Sequence, residues 1–531
     1  MKKITELLWG SYFTENLAGD LEEKNFTRPV SHAFFSRVIP TPVKAPKLLG
    51  WSRSLANELG IAFPTAGSDD DSISVLGGNL VLPGMTPYAA RYGGHQFGNW
   101  AGQLGDGRAI TLGDAPTHLG REEFQLKGSG PTPYSRRADG RAVLRSSVRE
   151  FLCSEAMHHL GIPTTRALSL VGTGDLVTRD LFYDGNPKDE PGAIVCRVSP
   201  SFLRFGSFEI LASEGETAEL KTLADFLIRE HFPEIESAEP DAYGKLLDEI
   251  ARRTAVTLAH WMRVGFVHGV MNTDNLSVLG LTIDYGPYGW LEGYDPGWTP
   301  NTTDRERKRY RYGSQPSVAQ WNLARLCESF ISLIPDESRL TQTMKIYEET
   351  FLTSYGEMIA AKLGLPEISD GDEKLVGDVF KLLAAEETDF TLFFRELSSL
   401  ALDGRELSLI QADFLTGLRK AFFNPENASP QLLNEWSEWC GLYAEAVKNK
   451  GMRDRERHVS MKKSNPKIVL RNYLAQNAIT ALESGDDSVL RRLSLALETP
   501  YDDQEENLDF AEKRPEWARN KPGCSALSCS S

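Results

Sequence analysis

Val267-His268-Gly269-Val270-Met271-Asn272-Thr273-Asp274-Asn275-Leu276-Ser277-Val278 runs on through Leu279 and Gly280 into Leu281-Thr282-Ile283-Asp284-Tyr285-Gly286. These residues decide the fold class. The amide of Asn275 and the carboxylate of Asp284 form an oxygen-only pair, which phosphates and water would complete around a hard cation such as magnesium. His268 reads as structural, a ring packed under the loop. Leu279 to Ile283 reads as a short strand that delivers Asp284 onto a loop. On that loop Asp284 should contribute little packing, so its loss should abolish catalysis and leave the core intact.

The layout is similar to the protein-kinase pattern His-Arg-Asp-x-x-x-x-Asn followed by Asp-Phe-Gly, in which the Asn and the second Asp hold magnesium and the first Asp orients the acceptor hydroxyl. His268 to Asn275 reproduces the first spacing, and Asp284-Tyr285-Gly286 reproduces the second motif in form. One position departs. Val270 stands where a kinase carries its catalytic Asp, and an apolar side chain can neither accept nor orient a proton. Asp274 is the only nearby carboxylate able to replace it, which suggests a different substrate or a different phosphorus under attack.

Three upstream features extend the pattern. Gly102-Gln103-Leu104-Gly105-Asp106-Gly107-Arg108-Ala109 precedes a strand-like Ile110-Thr111-Leu112. Closely spaced glycines let backbone N–H groups approach phosphates and Arg108 adds charge, although such a pair taken alone reads as a hairpin turn. Lys127 closes the strand-like run Glu123 to Leu126, where it can act as a point charge on phosphates. The helix expected from about Arg141 to Leu160 places Leu144, Val148, Phe151, Leu152, Met157 and Leu160 mainly on one side and ends at Gly161. It offers Glu150 and Glu155 as partners for Lys127, and spacing does not decide between them.

Around these motifs the chain divides in three. From about Trp51 to Val198 it is Gly-rich with short strand-like runs such as Ala193 to Val198, and from about Phe208 to Leu497 it is mostly helical. Leu223–Glu230, Tyr243–Gly265, Ser317–Ile334 and Pro430–Asn449 are the clear amphipathic helices. The expected class is α+β, a protein-kinase-like bilobal fold: a small sheet-rich lobe in residues 1–206, a larger helical lobe in 207–500 and a tail in 501–531. That tail is charged and then Pro-, Gly- and Ser-containing, and is expected to be ordered only if something pins it.

Bulk properties narrow the function. The 531 residues carry a net charge of -16 with 41% hydrophobic content, which excludes a general nucleic-acid binder because many phosphate contacts need a basic field. The acidic residues between Glu6 and Glu23 exclude a signal or transit peptide, and no apolar run approaches the ~18 residues of a membrane span. A cytoplasmic monomer is expected. Cys153, Cys196, Cys327 and Cys440 read as isolated buried thiols, and Cys524 and Cys529 lie in a frayed ending.

Together with Arg91-Tyr92-Gly93-Gly94-His95-Gln96-Phe97-Gly98, Lys127-Gly128-Ser129-Gly130-Pro131-Thr132-Pro133-Tyr134-Ser135-Arg136 and Asn465-Pro466-Lys467-Ile468-Val469-Leu470-Arg471-Asn472-Tyr473, these motifs resemble the selenoprotein O family over nearly the whole chain. The resemblance implies a pseudokinase that binds ATP in a flipped orientation and transfers AMP to Ser, Thr or Tyr hydroxyls of target proteins, releasing diphosphate. It implies that Gly105, Gly107, Arg108, Lys127, Asp139, Gly140, Arg197, Arg204 and Asp284 form the nucleotide site. Glu150 would partner Lys127, Asp274 would accept the proton, and Asn275 and Asp284 would hold magnesium, with manganese as the alternative. Cys529 fills the family's selenocysteine or cysteine position. The loop Tyr294 to Asn301 lacks the cysteine that some bacterial members pair with it, which leaves Cys524 as the only nearby partner in sequence. Two other readings stand beside this one, a small-molecule kinase and a silent ATP-binding scaffold. Val270 argues against the first, and retention of both Asn275 and Asp284 against the second.

Overall fold

The computed structural model describes residues 1–65, 70–180, 185–236, 239–334 and 336–528. Its N-terminal region is rich in strands: β1 (Phe35–Arg37), β2 (Lys47–Trp51), β3 (Tyr88–Ala90), β4 (Gly93–Gln96), β5 (Asn99–Gln103), β6 (Ala109–Thr117), β7 (Gly120–Lys127), β8 (Arg166–Arg179) and β9 (Lys188–Ser199). Seven of them form an antiparallel sheet in the order β1-β3-β6-β7-β9-β8-β2, while β4 and β5 make a separate hairpin. Side chains alternate between faces along a strand, and the alternation sorts this sheet by chemistry. Phe124, Leu126, Ile194, Cys196 and Val198 join the core on one face, which also takes up Leu55 and Leu59 of α2 (Arg53–Leu59) and Val75 and Leu76 of α3 (Ser72–Leu76); α1 (Tyr12–Asn16) precedes them in the chain. Gln125, Lys127 and Arg197 point to the other face, where the register puts Gln125 opposite Arg197.

That second face receives α4 (Leu144–His159), which ends before Gly161 at φ +75. All six apolar residues expected on its inner side are buried, together with Ala193 and Val195 of β9. The helical C-terminal region comprises α5 (Phe205–Ser213), α6 (Thr217–His231), α7 (Ala242–Val264), α8 (Gln315–Ser329), α9 (Glu337–Leu363), α10 (Glu373–Ala385), α11 (Phe390–Leu397), α12 (Leu407–Ala421), α13 (Pro430–Asn449), α14 (Asp454–Ser464), α15 (Asn472–Glu483) and α16 (Ser488–Leu497). Its far end builds an aromatic core around Phe393, Phe394, Trp436 and Trp439. By contrast, α15 and α16 fold back and share a core with α4. Arg149 fixes that packing: its guanidinium lies 4.2 Å from the Tyr288 ring centroid, donates to Tyr288 O at 2.8 Å and reaches Asn472 Oδ1 at 3.4 Å. A two-stranded ribbon, β10 (Phe266–Val267) with β11 (Gly289–Trp290), closes both ends of the segment that carries Asp274 and Asp284.

Two expectations are corrected. Leu279 to Ile283 is not a strand, because Gly280 at φ +71 breaks the extended backbone and only isolated bridges remain, Thr282 to Thr164 and Thr282 to Leu276. The tail is not frayed over its described part. Leu527 is 1% exposed, donates to Pro300 O and accepts from the Thr302 N–H at 2.8 Å, and Arg514 and Arg519 both bind Glu387. Cys524 is buried with a free thiol, as are Cys153, Cys196, Cys327 and Cys440, while Cys529 lies outside the described residues.

Replacing Arg149 with Ala empties a buried volume and strips the Tyr288 carbonyl of its donor. The expected cost is about 2–4 kcal/mol, read as a lower urea midpoint with an unchanged slope.

Candidate active site

Lys127 stands at the last position of β7, and its Nζ meets Glu150 Oε2 of α4 at 2.5 Å. The choice that spacing left open is thereby made, since Glu155 is spent elsewhere, on Arg166 at 2.8 Å and on Ser52. Burial pulls the Lys127 ammonium below its usual range while Glu150 and Asp284 oppose that pull. Asp284, at φ +61, sits 3.6 Å from Lys127 and accepts from Arg197 on one oxygen and Arg204 on the other, each at 2.5 Å. Burial alone would raise its carboxyl. Arg204, Arg197 and Lys127 outweigh burial and hold it well below the usual carboxylate range. Arg197 also binds Glu150 at 3.1 Å and Gln125 Oε1, and Arg204 donates to Asp274 O at 2.8 Å with its guanidinium over the Tyr92 ring.

The Asp274 loop is assembled from distant contacts. Thr273–Asn275 is a single 3₁₀ turn, in which Asn275 Nδ2 donates to Val270 O at 2.9 Å. His268 lies beneath it, buried, stacked on Trp261 at 5.3 Å and hydrogen-bonded to Ile283 O. The β4–β5 hairpin covers the turn. His95 N–H donates to Thr273 Oγ1, Gln96 Nε2 reaches Asp274 Oδ2 at 3.3 Å, and a Cβ on Gly94 would stand 2.8 Å from Asp274 Oδ1. Asp274 is 7% exposed, and its Oδ1 has no hydrogen-bond partner among the described residues. Burial drives its carboxyl up to about 7 against the opposing charge of Arg204.

The Gly-rich loop joins β5 to β6 and is not a hairpin turn. A Cβ on Gly105, at φ +91, would stand 2.3 Å from the Tyr134 ring, and one on Gly107 would stand 2.9 Å from Tyr134 O, so these glycines let residues 132–135 pack tightly. Arg108 follows beside Lys127, its carbonyl accepting from the Gly128 N–H. Asp139 and Gly140 stand apart from the charged cluster. Asp139 is bound by Arg179 at 2.6 Å and lines an open cleft with Arg141 and Thr178, and Gly140 O accepts from the Gly130 N–H behind the Lys127 loop. Sequence reasoning passed over Asp106 and Gln96. Asp106 is buried at 3% exposure within 4.0 Å of Arg204 and accepts from Ala90 N–H and Gln125 Nε2. Asp106 lies inside the segment read for its glycines and Gln96 inside one that carries the family resemblance, and that placement was the available signal.

A Lys–Glu pair, two buried arginines gathered on one carboxylate and a second carboxylate, 10 residues before it in the chain and with one oxygen unpartnered among the described residues, make a buried cationic cluster whose chemistry can take phosphate groups. The family model described as protein adenylyltransferase SelO matches residues 20–498. A protein nucleotidyltransferase YdiU of Nitrosospira multiformis is 56% identical, the match covering 98% of this chain and 95% of the relative. Proteins of the same name from Aromatoleum aromaticum and Rhodopirellula baltica are each 52% identical, with 99% of this chain and 100% and 99% of the relatives covered. The chain belongs to the protein adenylyltransferase SelO family, and ATP is the co-substrate that such a transferase implies. Among the described residues no helix is long and apolar enough to cross a membrane.

The simple loop role expected for Asp284 does not match its contacts, because it is the shared counter-ion of two buried guanidiniums. Asp284→Ala should therefore cost stability as well as activity. About 3 kcal/mol, measured by denaturant unfolding, is expected from leaving buried charge uncompensated.

Proposed function

We propose that the chain moves AMP from ATP onto Ser, Thr or Tyr hydroxyls of protein substrates. It does so as a cytoplasmic monomer of protein-kinase-like fold, with a smaller sheet-rich lobe in residues 1–206, a helical lobe in 207–500 and a tail in 501–531. One contrast carries the reading. Val270 is apolar where phosphotransfer to a hydroxyl needs a carboxylate, whereas Asp274 presents a buried oxygen free of any hydrogen bond among the described residues. The acceptor hydroxyl attacks the α-phosphorus, the bond from that phosphorus to the oxygen bridging the β-phosphate breaks, and diphosphate leaves. The hydroxyl proton passes to Asp274, whose carboxyl near neutrality suits general-base work.

Lys127, steadied by Glu150, and Arg197, Arg204 and Arg108 meet the phosphate charge, with Gly105, Gly107, Asp139 and Gly140 around the nucleotide. On binding, Arg197 and Arg204 exchange the Asp284 carboxylate for phosphate oxygens. The donor set suits a hard cation. Asn275 has its amide nitrogen committed to Val270 O, which leaves its carbonyl oxygen to pair with Asp284. Phosphate and water ligands would complete the coordination of such a cation. Magnesium or manganese held there supplies neutralisation of phosphate charge.

Supplying α-labelled and γ-labelled ATP in parallel tests the reading. Wild type should put α-label on protein, Asp274→Ala should lose it by about 100-fold or more, and Val270→Asp should gain no γ-transfer. Robust γ-label on protein in Val270→Asp overturns the reading. A second check is the pH profile: AMP transfer should fall as pH drops below about 7, where Asp274 becomes protonated and cannot accept a proton.

A further inference from the structure

In a chain of net charge -16, the segment Arg305-Glu306-Arg307-Lys308-Arg309-Tyr310-Arg311 gathers five cations against one acid. Arg305, Arg307, Lys308 and Arg311 are exposed, and none of the five forms an ion pair with a carboxylate among the described residues. Of the two acids here, Glu306 is exposed within the turn, and Asp304 is buried and spends its two oxygens on the backbone N–H groups of Arg309 and Tyr310, at 3.0 and 2.7 Å. Asp304 therefore shapes the turn through its backbone and forms no side-chain ion pair with these cations, although its charge is felt by Arg309 and Arg311. Basic side chains on an acidic protein are ordinarily drawn into pairs with its abundant carboxylates. Among the described residues these five cations have no ion-paired carboxylate, and Glu306 offsets only one of them.

Its place is fixed against the catalytic loop. Tyr310 OH donates to Asn272 Oδ1 at 2.6 Å and accepts from the Phe97 N–H at 2.9 Å, so the basic turn hangs from the residue two positions before Asp274 and from the β4–β5 hairpin that covers it. Arg309 lies 4.7 Å from the Trp321 ring centroid, and Trp321 and Trp100 flank His95 on the same hairpin at 5.5 and 5.1 Å. Trp100 is 39% exposed. An exposed positive rim beside an aromatic surface thus adjoins the carboxylate that would receive the acceptor proton. The buried Arg197 and Arg204 belong to the nucleotide cluster, and these solvent-facing cations do not.

We infer that the Arg305–Arg311 turn is a docking surface for an acidic stretch of the protein substrate flanking the acceptor hydroxyl. This deepens the AMP-transfer reading and rests on it for the nature of the partner. Complementary charge sets encounter rate and choice of partner more than raw affinity, and a rim next to the reacting group converts that choice into selection of the hydroxyl. The chain's overall negative field disfavours acidic segments, and this turn offers such a segment a local positive surface beside the reacting group.

The test uses the full chain and two dye-labelled peptides, each with one central Tyr, flanked by Glu in one and by Lys in the other. Binding is read by fluorescence anisotropy and AMP transfer is read separately. Wild type should bind the Glu peptide about tenfold more tightly than the Lys peptide, with the preference shrinking as salt rises. The surface variant R305E/R307E should lose or invert that preference while keeping its affinity for a fluorescent ATP analogue. Equal binding of the two peptides by wild type, or an unchanged preference in R305E/R307E, overturns the proposal, as does stronger displacement by a single-stranded oligonucleotide than by unlabelled Glu peptide. Charge-dependent binding that persists without AMP transfer to either peptide supports the surface and counts against the AMP-transfer reading instead.

Discussion

Asp284 is the point on which the site turns. Its two oxygens gather Arg197 from β9 and Arg204 from the N-terminus of α5, and Lys127 from β7 stands close by. Three cations brought this close repel one another strongly in a buried setting, and they remain together only because Asp284 and Glu150 supply the compensating charge. The backbone at Asp284 is held at φ +61, so the carboxylate is aimed by the loop rather than left to choose. The cluster is thus a fastening between the sheet-rich and helical regions as much as a reaction centre. Any anion that displaces Asp284 must offer the arginines at least as much charge, which suits a polyphosphate.

A second layer of structure keeps this fastening in register. Glu150 can hold Lys127 only if α4 keeps its rotation and height over the sheet, and α4 is enclosed by β9 on one side and by α15 and α16 on the other. Arg149, the residue before Glu150, ties the same helix turn to Tyr288 and Asn472. The last helices of the chain therefore act on the first part of the site, although more than 300 residues separate them in sequence.

Much of this was legible in the sequence because its signals are local. The run from Val267 to Gly286, the strand ending in Lys127 and the apolar stripe of α4 each depend on residues a few positions apart. The undecided choice between Glu150 and Glu155 shows where locality ends, since it is settled by Arg166 and Ser52 taking Glu155 away. Gln96 and Tyr310 were missed for the same reason: each meets the Asp274 loop across a long separation, and although Gln96 lies within a quoted motif, nothing local in either residue's surroundings points to that loop. The Leu279–Ile283 run misled because apolar composition outweighed the glycine within it. The tail misled because composition gives no warning of a partner at Pro300 to Thr302. For Asp139, the contacts are with Arg179 and the cleft that it lines with Arg141 and Thr178, which no periodicity announces.

The pairing of Leu527 with the 300–302 loop also has a meaning in time. The two partners are 225 residues apart, and at ribosomal rates of about 5–20 residues per second the loop emerges roughly 10–45 seconds before the segment that clamps it. During that interval the backbone N–H of Thr302 and the carbonyl of Pro300 lack the partners that Leu527 later gives them. This part of the structure, tied to Gly269 through Asn301, is therefore completed late in synthesis, after the sheet and α4 have been made. The same lateness applies to α15 and α16, so the charged cluster and the loop beside Gly269 both receive their last supports near the end of synthesis.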